Sequence, residues 1–477
     1  MAKMFINGEY VGSVSGQVYE IRNPATGEVV DTAPKGTAED ARRAIDAAEA
    51  AFKSWGTTSA EHRAKLLFKA AELVHGQIQD LALTLTKEQG KPIREAKTEI
   101  EHFLHGLEFY AGLASKIRGS HVPLPNTKMY GLVLRQPIGV CGAIVPWNFP
   151  ITLMGTKVGP ALAAGNTVVV KPASTTPLTT IRIIELMCKA GLPNGVLNVI
   201  TGPGGVVGEE LLTNPKVRRI AFTGETRTGQ HVMEAAGREI KRITLELGGS
   251  DPMIVCDDAD LDEAAKWGAI GRFFNCGQAC LATKRMYVFE SVYDTMVAKL
   301  IERTKKLKVG NGLTEGTIIG PMHTAAQRQE IEEQVADAVK RGAKIVAGGK
   351  RPEGADFDKG YFYLPTLLVD VDLNSRAVTE ETFGPLLPIF KVKDLDEALA
   401  LANRSIYGLG SSVWTRDLAK ARTASERLEA GNVWINSLQI GYDEMPFGGV
   451  KYSGVGREHG PEALDYYLET KGVVIAT

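Results

Sequence analysis

Val140-Cys141-Gly142-Ala143-Ile144-Val145 is a short, almost unbroken apolar run, and Pro146-Trp147-Asn148-Phe149-Pro150 follows it directly. A run that is apolar at every position, rather than at alternate ones, suits a strand buried on both faces of a parallel sheet. Thr167-Val168-Val169-Val170 repeats the texture, and Asn198-Val199-Ile200-Thr201 and Arg219-Ile220-Ala221-Phe222 read as two more strands. Helical stretches such as Thr180 to Ala190 separate them. This alternation predicts an α/β fold built on a doubly wound sheet. A second α/β section is expected from about Leu247 to Gly448, with strands near 252–255, 285–289, 344–346 and 432–435.

Working outward, Phe5-Ile6-Asn7-Gly8-Glu9-Tyr10-Val11 places an Asn-Gly turn between apolar runs, the signal of a tight hairpin. A helix is expected from Thr37 to Gly56, because Ala41, Ile45, Ala48, Phe52 and Trp55 recur at helical spacing. Ser59 suits the cap of the next helix, Gly90 and Pro92 close a third, and a fourth spans about 93–113. The tail from Tyr466 to Ala476 is apolar and β-prone, which predicts an edge strand that pairs with a partner domain or subunit.

Composition narrows the function classes. Among 477 residues, 55 basic and 56 acidic side chains leave a net charge of −1. No block of like charge offers a footprint for nucleic acid or an anionic membrane, so neither is an expected partner. No apolar stretch approaches the roughly 18 residues that span a bilayer. The start turns polar at Asn7-Gly8-Glu9 and lacks a signal-peptide core. Five scattered cysteines read as reduced thiols, and the expected location is cytoplasmic.

Four segments carry chemistry. Cys280 ends Asn275-Cys276-Gly277-Gln278-Ala279-Cys280; a free cysteine is most often a small buried hydrophobe, but a Gly-Gln pair before it is unusual core packing. Cys276 lies four residues earlier, the spacing of one helix face, and a reversible disulfide between the two is one hypothesis. No further Cys or His stands at ligand spacing, so no metal is expected. Glu246, between Leu245 and Leu247 and followed by Gly248-Gly249, is a carboxylate in an apolar setting, which suits either a general base or a structural ion pair. Asn148 sits in a loop stiffened by two prolines, where its amide is able to donate to a developing oxyanion. Finally, Gly202-Pro203-Gly204-Gly205 with Gly208, and Gly224 with Gly229, each follow a strand. They are either turn glycines or a pyrophosphate cradle, and neither matches G-x-G-x-x-G.

Taken together and in order, these segments resemble the aldehyde dehydrogenase superfamily across essentially the whole chain. Lys171-Pro172-Ala173-Ser174, Phe222-Thr223-Gly224, Glu380-Glu381-Thr382-Phe383-Gly384-Pro385, Pro446-Phe447-Gly448-Gly449-Val450-Lys451 and Ser453-Gly454-Val455-Gly456-Arg457-Glu458 complete the set. The resemblance implies two doubly wound parallel-sheet domains and a β oligomerisation arm. The cofactor-binding domain is expected at 1–115 and 136–246, the catalytic domain at 247–448, and the arm at 116–135 and 449–477. It implies oxidation of a small-molecule aldehyde to the acid with NAD or NADP, in a homodimer or homotetramer. Cys280 is the implied nucleophile, Asn148 the oxyanion donor and Glu246 the base that activates water, while Glu458 resembles a proton relay or a structural ion pair. Implied cofactor residues are Ile144, Trp147, Lys171, Ser174, Gly204, Gly208, Phe222, Gly224, Glu225, Gly229, Leu247, Glu381 and Phe383. Implied pocket residues are Phe149, Leu153, Thr156, Ala279, Leu281 and Phe447.

Three departures refine this. Strict NAD users commonly carry Glu where this chain has Ser174, so NADP is expected to be tolerated or preferred. Glu225 replaces a common Ser, so its carboxylate is expected to point away from a phosphate or pair with Arg227. Thr156 stands where relatives acting on succinate semialdehyde tend to have Arg, which disfavours a carboxylated substrate. A thioester-forming acyl transferase and a non-catalytic scaffold are the rival classes, and aldehyde-dependent cofactor reduction separates them.

Overall fold

The computed structural model describes residues 1–476. Edge to edge, the first sheet runs Glu9–Val11, Met4–Ile6, Leu197–Val199, Thr167–Lys171, Val140–Ile144, Val217–Thr223, Arg242–Glu246 and Gly454–Val455. Its five central strands are parallel. From Val140–Ile144 the chain winds outward through Thr167–Lys171 to Leu197–Val199, then returns to lay Val217–Thr223 on the other side. Such a reversal opens a crevice at the carboxyl ends of the two strands flanking it. The Asn-Gly hairpin forms as expected, with Asn7 at φ 54° and Gly8 at φ 81°.

The second sheet runs Lys344–Ala347, Thr366–Val369, Leu386–Val392, Thr283–Phe289, Asp251–Val255, Gly410–Trp414 and Asn432–Ile435, parallel except at the Lys344–Ala347 edge. Each sheet has its own apolar core. Local chemistry starts the helices where the sequence places them. Thr37 and Asp40 form a reciprocal capping box on Ala38–Trp55, Ser59 caps Ala60–His75, and Gly90, at φ 104°, ends Ile78–Gln89.

The tail strand Leu468–Ala476 pairs antiparallel with Met129–Pro137 of its own chain, and Ser120–Pro123 completes this three-stranded sheet. Residues 449–467, expected to belong with the tail strand, lie outside this three-stranded sheet, and Thr477 lies outside the described residues. Gly454–Val455 closes the edge of the first sheet on Leu245 and Glu246, and Ala463, Leu464 and Tyr467 pack into a first-sheet core. The reason is hydrogen bonding: Ser453 gives its hydroxyl to the Gly248 carbonyl at 2.7 Å and accepts from the Gly408 amide at 2.9 Å, which ties this segment between the sheets. Among the described residues no helix is long and apolar enough to cross a membrane.

Candidate active site

Leu247 to Ser250 link the last parallel strand of the first sheet directly to the first strand of the second. The carboxyl ends of one sheet therefore face the amino ends of the other, and the segments singled out above converge there. Register does much of the alignment. Ile144 lies opposite Lys171 on one side and Phe222 on the other, Phe222 opposite Leu245, and Thr223 opposite Glu246.

Asn148 follows the strand Val140–Ile144, just before a helix that opens with Pro150. Its side chain is buried, and Nδ2 donates to the Gln278 carbonyl at 3.1 Å, which brings the amide to the loop that carries Cys280. Its own carbonyl accepts from Lys91 Nζ at 2.8 Å and Asn275 Nδ2 at 3.1 Å.

The nucleophile loop departs from the shared helix face suggested by the Cys276 spacing. The helix Leu261–Phe273 ends first, and Asn275 at φ 49°, Cys276 at φ 57° and Gly277 at φ 73° turn the chain sharply in left-handed conformations. L-residues avoid this region at roughly 1–2 kcal/mol each. Tertiary bonds offset that cost: Asn275 N–H donates to Glu95 Oε2 at 3.0 Å, and Gln89 Nε2 donates to Asn275 Oδ1 at 3.1 Å. Cys276 is buried with its Sγ 3.7 Å from Met322 Sδ, and all five cysteines are free. Cys280 packs with Leu281 against Leu409, Trp434 and Phe447. Loss of solvation there pushes its thiol up to about 12; the Glu246 charge adds to the rise, and Lys284 opposes it.

Glu246 is 2% exposed, and neither carboxylate oxygen has a hydrogen-bond partner among the described residues. Burial first, then the charge of Glu458, hold it well above the ordinary carboxylate range, while Lys157 and Arg457 oppose the shift. Glu458 is itself buried, 2.8 Å from Lys157 Nζ, which also donates to Thr223 Oγ1 at 2.7 Å. Thr156, expected on the pocket wall, is buried and gives its hydroxyl to Glu458 Oε2 at 2.7 Å. A buried carboxylate needs donors, and this one recruits Thr156.

Several of the expected cofactor residues stand at or just after the carboxyl ends of first-sheet strands, Ile144, Lys171, Phe222 and Gly224 among them. Lys171 is buried, its ammonium makes no hydrogen bond or ion pair among the described residues, and burial pushes it down to about 8. An unpartnered buried cation fits an anionic or hydroxyl-rich ligand. At Gly204 and Gly208, where a wide helical turn begins and ends, an added Cβ would meet nothing within 4 Å, so backbone is open to close approach. Gly229 shows the opposite case, since a Cβ there would lie 2.3 Å from Leu247 Cδ2. Gly224 packs over Phe222, and its amide donates to the Glu246 carbonyl at 3.0 Å. Ser174 gives its hydroxyl to the Gly202 carbonyl at 3.0 Å. Glu225 is exposed at the start of the helix Thr226–Arg238 and forms no ion pair with Arg227 among the described residues. Trp147 lies edge-on to Phe383 at 5.7 Å and stacks on His323 at 4.4 Å. Burial pushes His323 down to about 4, so the ring is neutral. Glu381 accepts from the Gly249 amide at 2.9 Å and pairs with Lys284.

Phe149 stacks on Phe274 with ring centroids 5.6 Å apart, and Leu153, half-buried, follows on the same helix. Phe274, Lys91, Lys157 and Lys284 are site residues that the sequence reading missed. The signal open to it was a lone charge in an apolar run: Lys157 is the single charged residue of Pro150–Ala163.

The model of the aldehyde dehydrogenase family matches residues 10–473. The chain belongs to the aldehyde dehydrogenase family. It is 45% identical to a glutarate-semialdehyde dehydrogenase of Pseudomonas putida over 99% of this chain and 97% of that one. It is 43% identical to an NADP(+) succinate-semialdehyde dehydrogenase of Escherichia coli over 98% and 97%. A betaine aldehyde dehydrogenase of Staphylococcus aureus, solved with NAD+, superposes with a TM-score of 0.97 at 38% identity, covering 100% of this chain and 94% of that one. This aldehyde dehydrogenase thus oxidises an aldehyde to the carboxylic acid with reduction of NAD(P).

Proposed function

We infer that Cys280, Asn148 and Glu246 perform this oxidation. The observation that carries the reading is their convergence: Asn148 reaches the Cys280 loop, and the buried, unpartnered Glu246 carboxyl lies close enough for its charge to act on the Cys280 thiol. The Cys280 thiol gives its proton to the Glu246 carboxylate, and its sulfur attacks the aldehyde carbon and forms a thiohemiacetal. The Asn148 amide and the Cys280 backbone N–H stabilise the oxyanion. The nicotinamide ring, when bound, accepts the hydride lost from that carbon. The thioester left on Cys280 is hydrolysed by water that Glu246 deprotonates.

Lys171, Ile144, Phe222, Gly204, Gly208, Gly224 and Gly229 would hold the adenosine and pyrophosphate end of the cofactor, and Glu381 the nicotinamide ribose, with Phe383 and Trp147 beside it. The residues around Ser174 leave a 2′-phosphate unopposed by any carboxylate at that position, so NADP is used as well as NAD. The pocket walls are Phe149, Phe274, Leu153, Ala279, Leu281 and Phe447. None of these is a cation, and the aldehyde they suit has an uncharged, apolar body. The names of the relatives favour a second reading, a semialdehyde that carries a carboxylate. The first sheet serves as the cofactor domain and the second as the catalytic domain. The open edge of Leu468–Ala476, with Val474 65% exposed, suits pairing between subunits of a cytoplasmic dimer or tetramer.

Reduced-cofactor formation with a panel of aliphatic, aromatic and carboxylated aldehydes, with NAD and NADP in parallel, tests this. C280A is expected to lose all turnover, and E246Q to give one burst and stall. Steady turnover by E246Q would refute the assignment of the base.

A further inference from the structure

Lys284 takes no part in the chemistry above, yet its position joins every part of it. It is the second residue of the strand Thr283–Phe289, four residues after Cys280, and its side chain is fully buried. Nζ donates to the Gly249 carbonyl at 2.8 Å and the Cys280 carbonyl at 2.9 Å, and it pairs with Glu381 Oε1. An ammonium has three N–H groups, so these three acceptors use its full capacity. Each acceptor belongs to a different segment. Gly249 is in the turn that follows Glu246, Cys280 is the nucleophile, and Glu381 faces the proposed nicotinamide ribose.

The Glu381 carboxylate has a second anchor in the Gly249 amide at 2.9 Å and remains 18% exposed. Both anchors meet Oε1. The ammonium also lies 5.4 Å from the centre of the Phe383 ring. An apolar side chain at 284 would leave two buried carbonyls without their donor and a carboxylate without its cation, at the point where the three segments meet.

We propose that Lys284 is a positioning residue that fixes Glu381 for the cofactor ribose and presents a positive charge to the Cys280 thiol. The proposal rests on the reading that Glu381 holds the ribose and Cys280 is the nucleophile. Its two arms are tested with K284M, E381Q and the double variant. One arm follows the pre-steady-state burst of reduced cofactor and the cofactor KM. The other follows alkylation of Cys280 by iodoacetamide against pH, read from the mass of the Cys280 peptide.

In the first arm K284M is expected to slow the burst roughly tenfold or more and to raise the cofactor KM, E381Q to do the same, and the double variant to be no worse than the poorer single. In the second arm K284M moves the alkylation midpoint to higher pH by about one unit, while E381Q leaves it unchanged or moves it lower, since an anion is then removed. A merely structural lysine would lower thermal stability and leave the midpoint and the burst per folded site where they are; that result overturns the proposal. If E381Q leaves cofactor kinetics intact, the ribose reading fails, and the alkylation arm still decides whether Lys284 acts on the thiol. K284Q keeps donors for the carbonyls and loses only the charge. It replaces K284M should that variant not accumulate, with the same alkylation shift expected.

Discussion

Lys91→Met is the perturbation whose cost follows most directly from the geometry. Lys91 and Glu99 form an ion pair with side chains 0% and 1% exposed. Lys91 Nζ also donates to the Asn148 carbonyl at 2.8 Å and lies 3.9 Å from the centre of the Phe149 ring. Glu99 Oε1 accepts the Ile151 amide at 2.8 Å and the Thr152 amide at 3.4 Å, at the start of the helix that follows Asn148. Removing the lysine leaves a buried carboxylate without its cation, a loss of about 3–5 kcal/mol. Glu99→Gln strands the ammonium instead and costs a similar amount. Once one partner is gone the other has less to lose, so K91M/E99Q should fall short of the sum of the singles by roughly 1–3 kcal/mol. The assay is equilibrium urea unfolding at one fixed protein concentration, because subunit association would otherwise shift the midpoint. Function should follow: Asn148 loses one of the two donors on its carbonyl and keeps only Asn275 Nδ2, and a misplaced oxyanion donor costs on the order of tenfold to a hundredfold in kcat. A loss below about 1 kcal/mol in K91M, or strict additivity in the double variant, would refute the reasoning.

Other consequences are narrower. Because burial and Glu458 raise Glu246, its carboxyl keeps a proton at low pH and sheds it as pH rises, so thioester hydrolysis should climb with pH. E458Q removes the like charge and should move that limb to lower pH; a limb that stays in place would disconnect the two carboxyls. By the same sign, the raised value stabilises the folded state at low pH, and that contribution fades as pH rises through it. Ser174→Glu should cut kcat/KM for NADP by about tenfold or more while sparing NAD, through repulsion of a 2′-phosphate; an unchanged NADP-to-NAD ratio would place the phosphate elsewhere. Phe274→Ala removes an aromatic stack worth about 0.5–1.5 kcal/mol, so KM for aromatic aldehydes should rise roughly threefold to tenfold, with small hydroxylated aldehydes little affected. Equal effects on both would take Phe274 off the pocket wall.

What the sequence disclosed and what it hid divide along a physical line. The strand Val140–Ile144, the capped helix Ala38–Trp55 and the Asn-Gly hairpin are legible because their causes are local: periodicity, a capping box, and a turn that needs positive φ. Cys280, Glu246 and Asn148 stand out because each sits in a short segment with its own unusual chemistry. Lys91, Lys157 and Lys284 are different. Each is a buried cation whose partners are at least eight residues away or in another part of the chain, apart from the Cys280 carbonyl. Nothing within a few residues announces the partner, although a lone charge in an apolar run does announce that one must exist, since an unpaired charge is too costly to bury. The same logic explains two further features. The left-handed Asn275 and Cys276 are unfavourable on their own and persist through Asn275's bonds with Gln89 and Glu95. Thr156 gives its hydroxyl to Glu458, a partner distant in sequence. The catalytic groups are thus written into the motifs, whereas the buried charges that hold them in place are written only into the packing of one segment on another.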